Sequence, residues 1–373
     1  MTISVNIVDR SLTKDNQRGP SGINKIELYI DMTKVMESTT SSLTYVWATE
    51  QYKDGYHTIM TKSYDNVGNV GIVSVGVRVV NAEWLFLVYL DGDNDLEKFA
   101  IQDMNEMEMV GSTNKIKILV LFDRIPGYDT SNGDWNNARL YYVTKDYDAN
   151  NINSVLIKDY NELDMSDTNT LKDFIIYGMT NYSAKKACLV FWNHGDGVYP
   201  RSPSKDDVQR GIAWDNTTPG YPWNCLTIDK VIIALESARQ VTGKKIDAIN
   251  MDACLTQMFE VAWEWQYGTD YLVGSEAIVP GYGNDYYTLL YHLTQNPTMT
   301  PSQFAKTIVD DYYAFYNGKD DTTYSYIKLG STFDTVKSKF AVFAKALYEA
   351  DDNQMAIIKN VWNNVTYFDK TEL

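Results

Sequence analysis

The sequence predicts an all-β sandwich over residues 1–82. Over 83–373 it predicts an α/β domain whose mostly parallel sheet is flanked by helices. Three observations carry this. A chain of 373 residues is long for one domain and suits two. Before residue 82 the apolar residues fall in short alternating segments between tight turns. After it, continuous apolar runs alternate with stretches of helical spacing.

The first part reads as strands over 3–8, 25–30, 43–48, 57–63 and 70–80. Asp54-Gly55 and the segment Asp65-Asn66 through Gly68-Asn69 mark turns between them. No helix-length periodicity interrupts, which is the pattern of a small β-sandwich. His57 lies inside one of these strands and is expected to be packed or at the surface, without a chemical role.

The second part opens with a buried-strand run at 84–90, then a helix over 96–110 and a second run at 115–122. Runs at 187–193, 245–251 and 271–275 repeat the pattern. Helices are expected over 169–182, 228–242, 255–267 and 301–316, and a last strand and helix over 324–329 and 334–350. Strands alternating with helices imply parallel neighbours covered on both faces.

Composition excludes several classes. With 33 basic and 49 acidic side chains the net charge is −16, so a phosphate backbone is repelled and no nucleic-acid partner is expected. Such a surface suits cationic peptides and divalent cations. Cys188, Cys225 and Cys254 are too few and too scattered for a disulfide framework. Apolar runs are too short to span a bilayer, and 1–10 lack a leader-like pattern.

In open α/β sheets, chemistry gathers beyond the carboxyl ends of the strands. Run 187–193 is followed by His194-Gly195-Asp196-Gly197, and run 245–251 by Asp252-Ala253-Cys254. An imidazole at a strand end can serve as general acid or base. Gly195 lets a backbone N–H come close to a ligand. Cys254 is placed at the turn into the 255–267 helix, where the dipole favours thiolate. Its N–H and that of Gly195 can form an oxyanion hole.

The acidic run Asp91, Asp93, Asp95 is a poor calcium loop of the EF-hand type. Leu96 replaces the turn glycine and Gln102 the bidentate glutamate. A phosphatase built on Asp91 and Asp93 would want Thr or Val where Asp95 stands. The run is therefore read as a turn and helix cap, with Asp95-Leu96-Glu97 charging the helix start.

Asn193-His194-Gly195, Gly211-Ile212-Ala213-Trp214-Asp215, Met251-Asp252-Ala253-Cys254-Leu255 with Glu260-Val261-Ala262, then Gly274-Ser275-Glu276 and Pro280-Gly281, together resemble the clostripain family of cysteine peptidases, in the clan of caspases, legumains and gingipains. The opening Tyr89–Glu97 segment looks similar too. The first part, with Lys25–Asp31, Asp54–Ile59 and Tyr64–Asn69, resembles a bacterial Ig-like repeat.

The resemblance implies a caspase-like α/β sandwich. Cys254 would be the nucleophile and His194 its partner. Asp252 would line an S1 pocket for Arg or Lys, with Glu276 or Asp285 as a second acid. Its other reading is a helix N-cap. Self-processing of a zymogen is expected after Arg201 or Lys205, Arg210 being less favoured. The chemistry needs no cofactor, although Ca²⁺ is possible at a site the sequence does not locate. Protein or peptide substrates with a basic P1, a monomer, and a secreted or cell-surface location follow from the resemblance. The rival expectation is a catalytically idle adhesive protein that keeps the peptidase fold.

Overall fold

The structure, a computed structural model, describes residues 1–9, 20–197, 211–218, 224–320 and 322–365. It divides into two compact units, Met1–Asn81 and Ala82–Leu373.

In the first unit, β1 (Thr2–Asn6) pairs antiparallel with β4 (Ser42–Val46). A second, four-stranded antiparallel sheet has the order β3 (Thr33–Ser38), β2 (Ile23–Ile30), β5 (Gly55–Asp65), β6 (Val70–Val79). β3 is a strand that alternation alone did not predict. Strand pleating sorts β2 by face. Ile26, Leu28 and Ile30 enter the core with Trp47 and Ile59. On the opposite face, Glu27 accepts hydrogen bonds from Lys25 Nζ and Tyr29 Oη at 2.8 Å and Tyr64 Oη at 3.0 Å. His57 packs edge-on against Trp47 and Tyr52 and pairs with Asp31.

The second unit is one eight-stranded sheet covered by helices. In chain order its elements are β7 (Trp84–Gly92), α1 (Glu97–Val110), β8 (Ile116–Arg124), β9 (Arg139–Tyr142), β10 (Val155–Asp159), α2 (Thr168–Asn181), β11 (Lys186–Trp192) and α3 (Ile228–Thr242). Then follow β12 (Ile246–Asp252), α4 (Phe259–Trp265), β13 (Thr269–Gly274), α5 (Tyr286–Gln295), α6 (Pro301–Tyr316), β14 (Ser325–Lys328), α7 (Ser331–Tyr348) and α8 (Asp352–Trp362).

The sheet order is β10-β9-β8-β7-β11-β12-β13-β14. The five strands from β8 to β13 are parallel, whereas β9, β10 and β14 run antiparallel at the edges.

β7 shows why the sheet is two-sided. All nine of its residues are buried. Leu85, Leu87 and Tyr89 join a core with Phe174 and Ile175 of α2 and Val231 of α3. The alternate Trp84, Phe86 and Val88 join another with Met104 of α1, Leu289 of α5 and Phe304 of α6. Truncating one such buried aromatic costs about 3–5 kcal/mol, so β7 anchors both layers. The parallel strands put their carboxyl ends on one rim. β11 pairs with β12 so that Trp192 lies opposite Asp252, the last residues of the two strands.

Candidate active site

His194 and Cys254 stand just beyond neighbouring strand ends. The loop after β11 packs hard against the one after β12. A Cβ on Gly195 would sit 2.3 Å from the Cys254 carbonyl oxygen, so only glycine allows this approach. The backbone N–H groups of Gly195 and of Cys254 itself act on the thiol to lower its pKa. Val279 N–H donates to Sγ at 3.3 Å, and Sγ lies 3.7 Å from Val279 O.

Burial outweighs those donors, so the Cys254 thiol is pushed above its ordinary value. This corrects the expectation of a thiolate favoured by a helix dipole. α4 begins only at Phe259, with Met258 as its N-cap, so Cys254 is not at a helix N-terminus and Asp252 caps nothing. Instead the chain turns through Leu255, a non-glycine residue at φ 57°. Left-handed backbone at a branched side chain is uncommon and is held here by hydrogen bonds. Leu255 N–H donates to Ala277 O at 3.1 Å, and Thr256 and Gln257 N–H both donate to Ser275 O at 3.0 Å.

His194 is half-exposed, and its Nε2 lies 2.8 Å from Asp95 Oδ1. Among the described residues, no hydrogen bond joins it to Cys254. Asp95 makes no capping hydrogen bond to α1, whereas Glu97 stands in its first turn as expected. Glu97 is fully buried and pairs with Arg124 Nε at 2.7 Å. Of the turn-and-cap reading, the turn and the acidic helix start stand, and the cap by Asp95 is corrected. Asn193 braces the rim. Its Nδ2 donates to Asp91 O at 3.0 Å and to Trp214 O at 3.2 Å, tying the end of β11 to the end of β7.

A sequence profile of the Clostripain family matches residues 88–372. The chain belongs to the clostripain family. A bacterial Ig domain profile matches residues 15–60. Over 253 residues the chain is 29% identical to clostripain of Hathewaya histolytica, covering 63% of this chain and 47% of that protein. It thus spans about half the length of that curated relative. A crystal structure of a secreted C11 cysteine protease from Bacteroides thetaiotaomicron, in complex with an irreversible peptide inhibitor, shares the fold with a TM-score of 0.52 and 27% identity, covering 66% of each chain.

Within this clostripain-family site, Asp252 lies two residues before the thiol and is only 4% exposed. Its Oδ2 accepts hydrogen bonds from Asn284 N–H at 3.0 Å and Tyr286 Oη at 2.8 Å, while Oδ1 has no partner. Gly283, at φ 55°, crosses directly over it. A Cβ there would meet the carboxylate at 2.6 Å. Burial pushes the Asp252 carboxyl up.

Glu276 Oε1 accepts from Ser325 Oγ at 2.7 Å, on the β13–β14 side. Asp285 is the N-cap of α5 and holds Thr288 N–H at 2.9 Å. Asp103 was missed by sequence reading. It is fully buried on α1, accepts from Trp192 Nε1 at 2.6 Å, leaves Oδ1 unpartnered and feels the Asp252 charge. An acid on an otherwise apolar helix face was the signal for it. Arg201, Lys205 and Arg210 lie outside the described residues.

Cys188 is fully buried inside β11 with its thiol pushed far up, and burial pushes Cys225 up to about 12. Neither can act as a nucleophile near neutral pH. Asp91 is also fully buried, with Oδ1 accepting from Asp93 N–H at 3.2 Å, so no phosphate ester reaches it.

Proposed function

We propose that this chain is a cysteine endopeptidase that cleaves after Arg or Lys through a covalent acyl-enzyme. The observation that carries the reading is the meeting of His194-Gly195 and Cys254 at the carboxyl ends of adjacent parallel strands. Cys254 Sγ attacks the scissile carbonyl carbon. The oxyanion that forms is held by the Gly195 and Cys254 N–H groups. His194 takes the proton from Sγ as the attack proceeds and gives it to the amine, which departs as the C–N bond breaks; water then hydrolyses the thioester and restores the thiol.

Asp252 supports the basic P1 preference. Its unpartnered, buried oxygen is unfavourable until a cation arrives, and a guanidinium or ammonium would satisfy it. Entry requires the segment at Gly283 to give way, and His194 must leave Asp95 to serve the sulfur. Both features fit a precursor that gains activity on cleavage after Arg201 or Lys205. Every group named comes from one chain, so the reading needs no second copy. Secretion accords with the relative of known structure.

The test is turnover of fluorogenic peptides with Arg, Lys or Asp at P1. Wild type should cleave the first two. Cys254→Ala should lose at least about 1000-fold in kcat/KM. Asp252→Asn should lose about 100-fold on Arg and Lys peptides, the size expected when a buried charge loses its partner. A folded wild type, already split after a basic residue yet inert toward all three peptides, would instead favour an adhesive protein on a peptidase fold.

A further inference from the structure

The four-stranded sheet of the first unit ends on β6, and among the described residues no strand pairs with the outer edge of β6. An edge strand presents a row of unpaired backbone N–H and C=O groups. Proteins blunt such edges with charge, shortness, proline or bulges. The opposite edge of this sheet, β3, has six residues and carries Lys34 and Glu37. β10 and β14, at the two ends of the eight-stranded sheet, have five and four residues and carry Lys158, Asp159 and Lys328.

β6 has none of these protections. It is ten residues long, holds no proline, pairs with β5 in unbroken register and carries one charge, Arg78, near its end. Its apolar side chains are uncovered on both faces. Pleating puts Val73, Val75, Val77 and Val79 on one face. Val77 and Val79 meet the core, whereas Val73 and Val75 are 67% and 55% exposed. On the other face Ile72 is 60% exposed. The free backbone groups fit a strand, and the valines beside them fit an apolar one.

A second copy of this chain meets both conditions. Residues 1–81 hold eight Lys and Arg against eight Asp and Glu, so the first unit is neutral and 82–373 carries the whole −16. Two copies therefore repel through their second units and not through their first. β6 is also complementary to itself. In an antiparallel pair about a two-fold axis, residues of the same face meet. Centred on Val75, the pairing sets Val75 against Val75, Val73 against Val77 and Arg78 against Ile72, so no like charges face each other.

We propose that two copies of this chain associate through antiparallel pairing of their β6 strands, which joins the two four-stranded sheets into one of eight. The monomer expected from the resemblance gives way to a reversible dimer, held weak by repulsion between the acidic second units. Each chain keeps its own His194 and Cys254, so the dimer stands apart from the peptidase reading.

The test uses the full chain as Cys254→Ala, which keeps peptidase activity out of the result. In sedimentation equilibrium the mass should rise from 42.6 kDa toward twice that value between about 1 µM and about 1 mM protein. Val73→Lys with Val75→Lys, at positions too exposed to threaten folding, should weaken association at least about tenfold, because the added ammonium groups face one another across the axis. Val73→Glu with Val75→Glu should do the same. An equimolar mixture of the two variants should restore the dimer, which damaged folds would not do. A wild type that stays at 42.6 kDa throughout, as it would if the edge served a strand of a different protein, overturns the proposal. So does a dimer that the lysine variant leaves intact, or a mixture that stays monomeric.

Discussion

Glu27, in the first unit, accepts three side-chain hydrogen bonds. The Lys25 ammonium, followed by Tyr29, holds its carboxyl down at about 2. A folded value below the unfolded one of 4.5 means that the stabilisation is complete above 4.5 and is lost as the pH falls toward 2. Glu27→Gln should therefore lower stability by about 1–3 kcal/mol at pH 7, and the difference from wild type should vanish near pH 2. Urea unfolding at a series of pH values checks this. Single residues also set the limit of sequence reading at the site. Cys254 and His194 stood out because each closely follows a strand run in an alternating strand–helix pattern. That Asp252 keeps one oxygen unpartnered under Gly283 depends on a segment about thirty residues downstream, which no local pattern reports. Asp95 was singled out for the right loop and the wrong partner. Its carboxylate reaches an imidazole 99 residues away and caps no helix.

At the level of elements, the loops after β11 and β12 form one unit through Gly195. Gly195→Ala forces a methyl group into the Cys254 carbonyl and should reduce kcat/KM by about 100-fold through displacement of the nucleophile, with the circular dichroism of the folded chain retained. Full activity in that variant would mean that the two loops do not act together. The parallel strands were readable because burial on both faces demands continuous apolar residues. β9 and β10 were not. They are antiparallel edge strands of four and five residues, and β10 has no buried residue to set a period. α5 and α8 were also missed. The helix expected over 255–267 was too long, because Leu255, Phe259 and Ala262 keep helical spacing across a turn that is not helical. Leu255 breaks it with a left-handed backbone, which the apolar pattern does not encode.

For the molecule as a whole, the net charge is −16, and Asp252 and Asp103 add acidic groups within the same unit as the thiol. A cationic substrate is thus attracted before it docks. The kcat/KM for Arg peptides should fall several-fold between low and physiological salt, with kcat nearly constant, because screening acts on encounter and not on the buried pair. Steady-state kinetics over a salt series checks this. Net charge and domain texture were open to sequence reading because they are sums over many residues. The meeting of the Asp93, Asp123, Glu162 and Asp215 carboxylates within 4.8 Å was not, since these residues are up to 122 positions apart and only the sheet brings them together. The most direct measurement is peptide mapping by mass spectrometry after treatment with a peptidyl electrophile carrying Arg at P1. The account predicts one adduct, on Cys254, with Cys188 and Cys225 untouched and no adduct from the matching reagent with Asp at P1. An unlabelled Cys254, or equal labelling by both reagents, would contradict it.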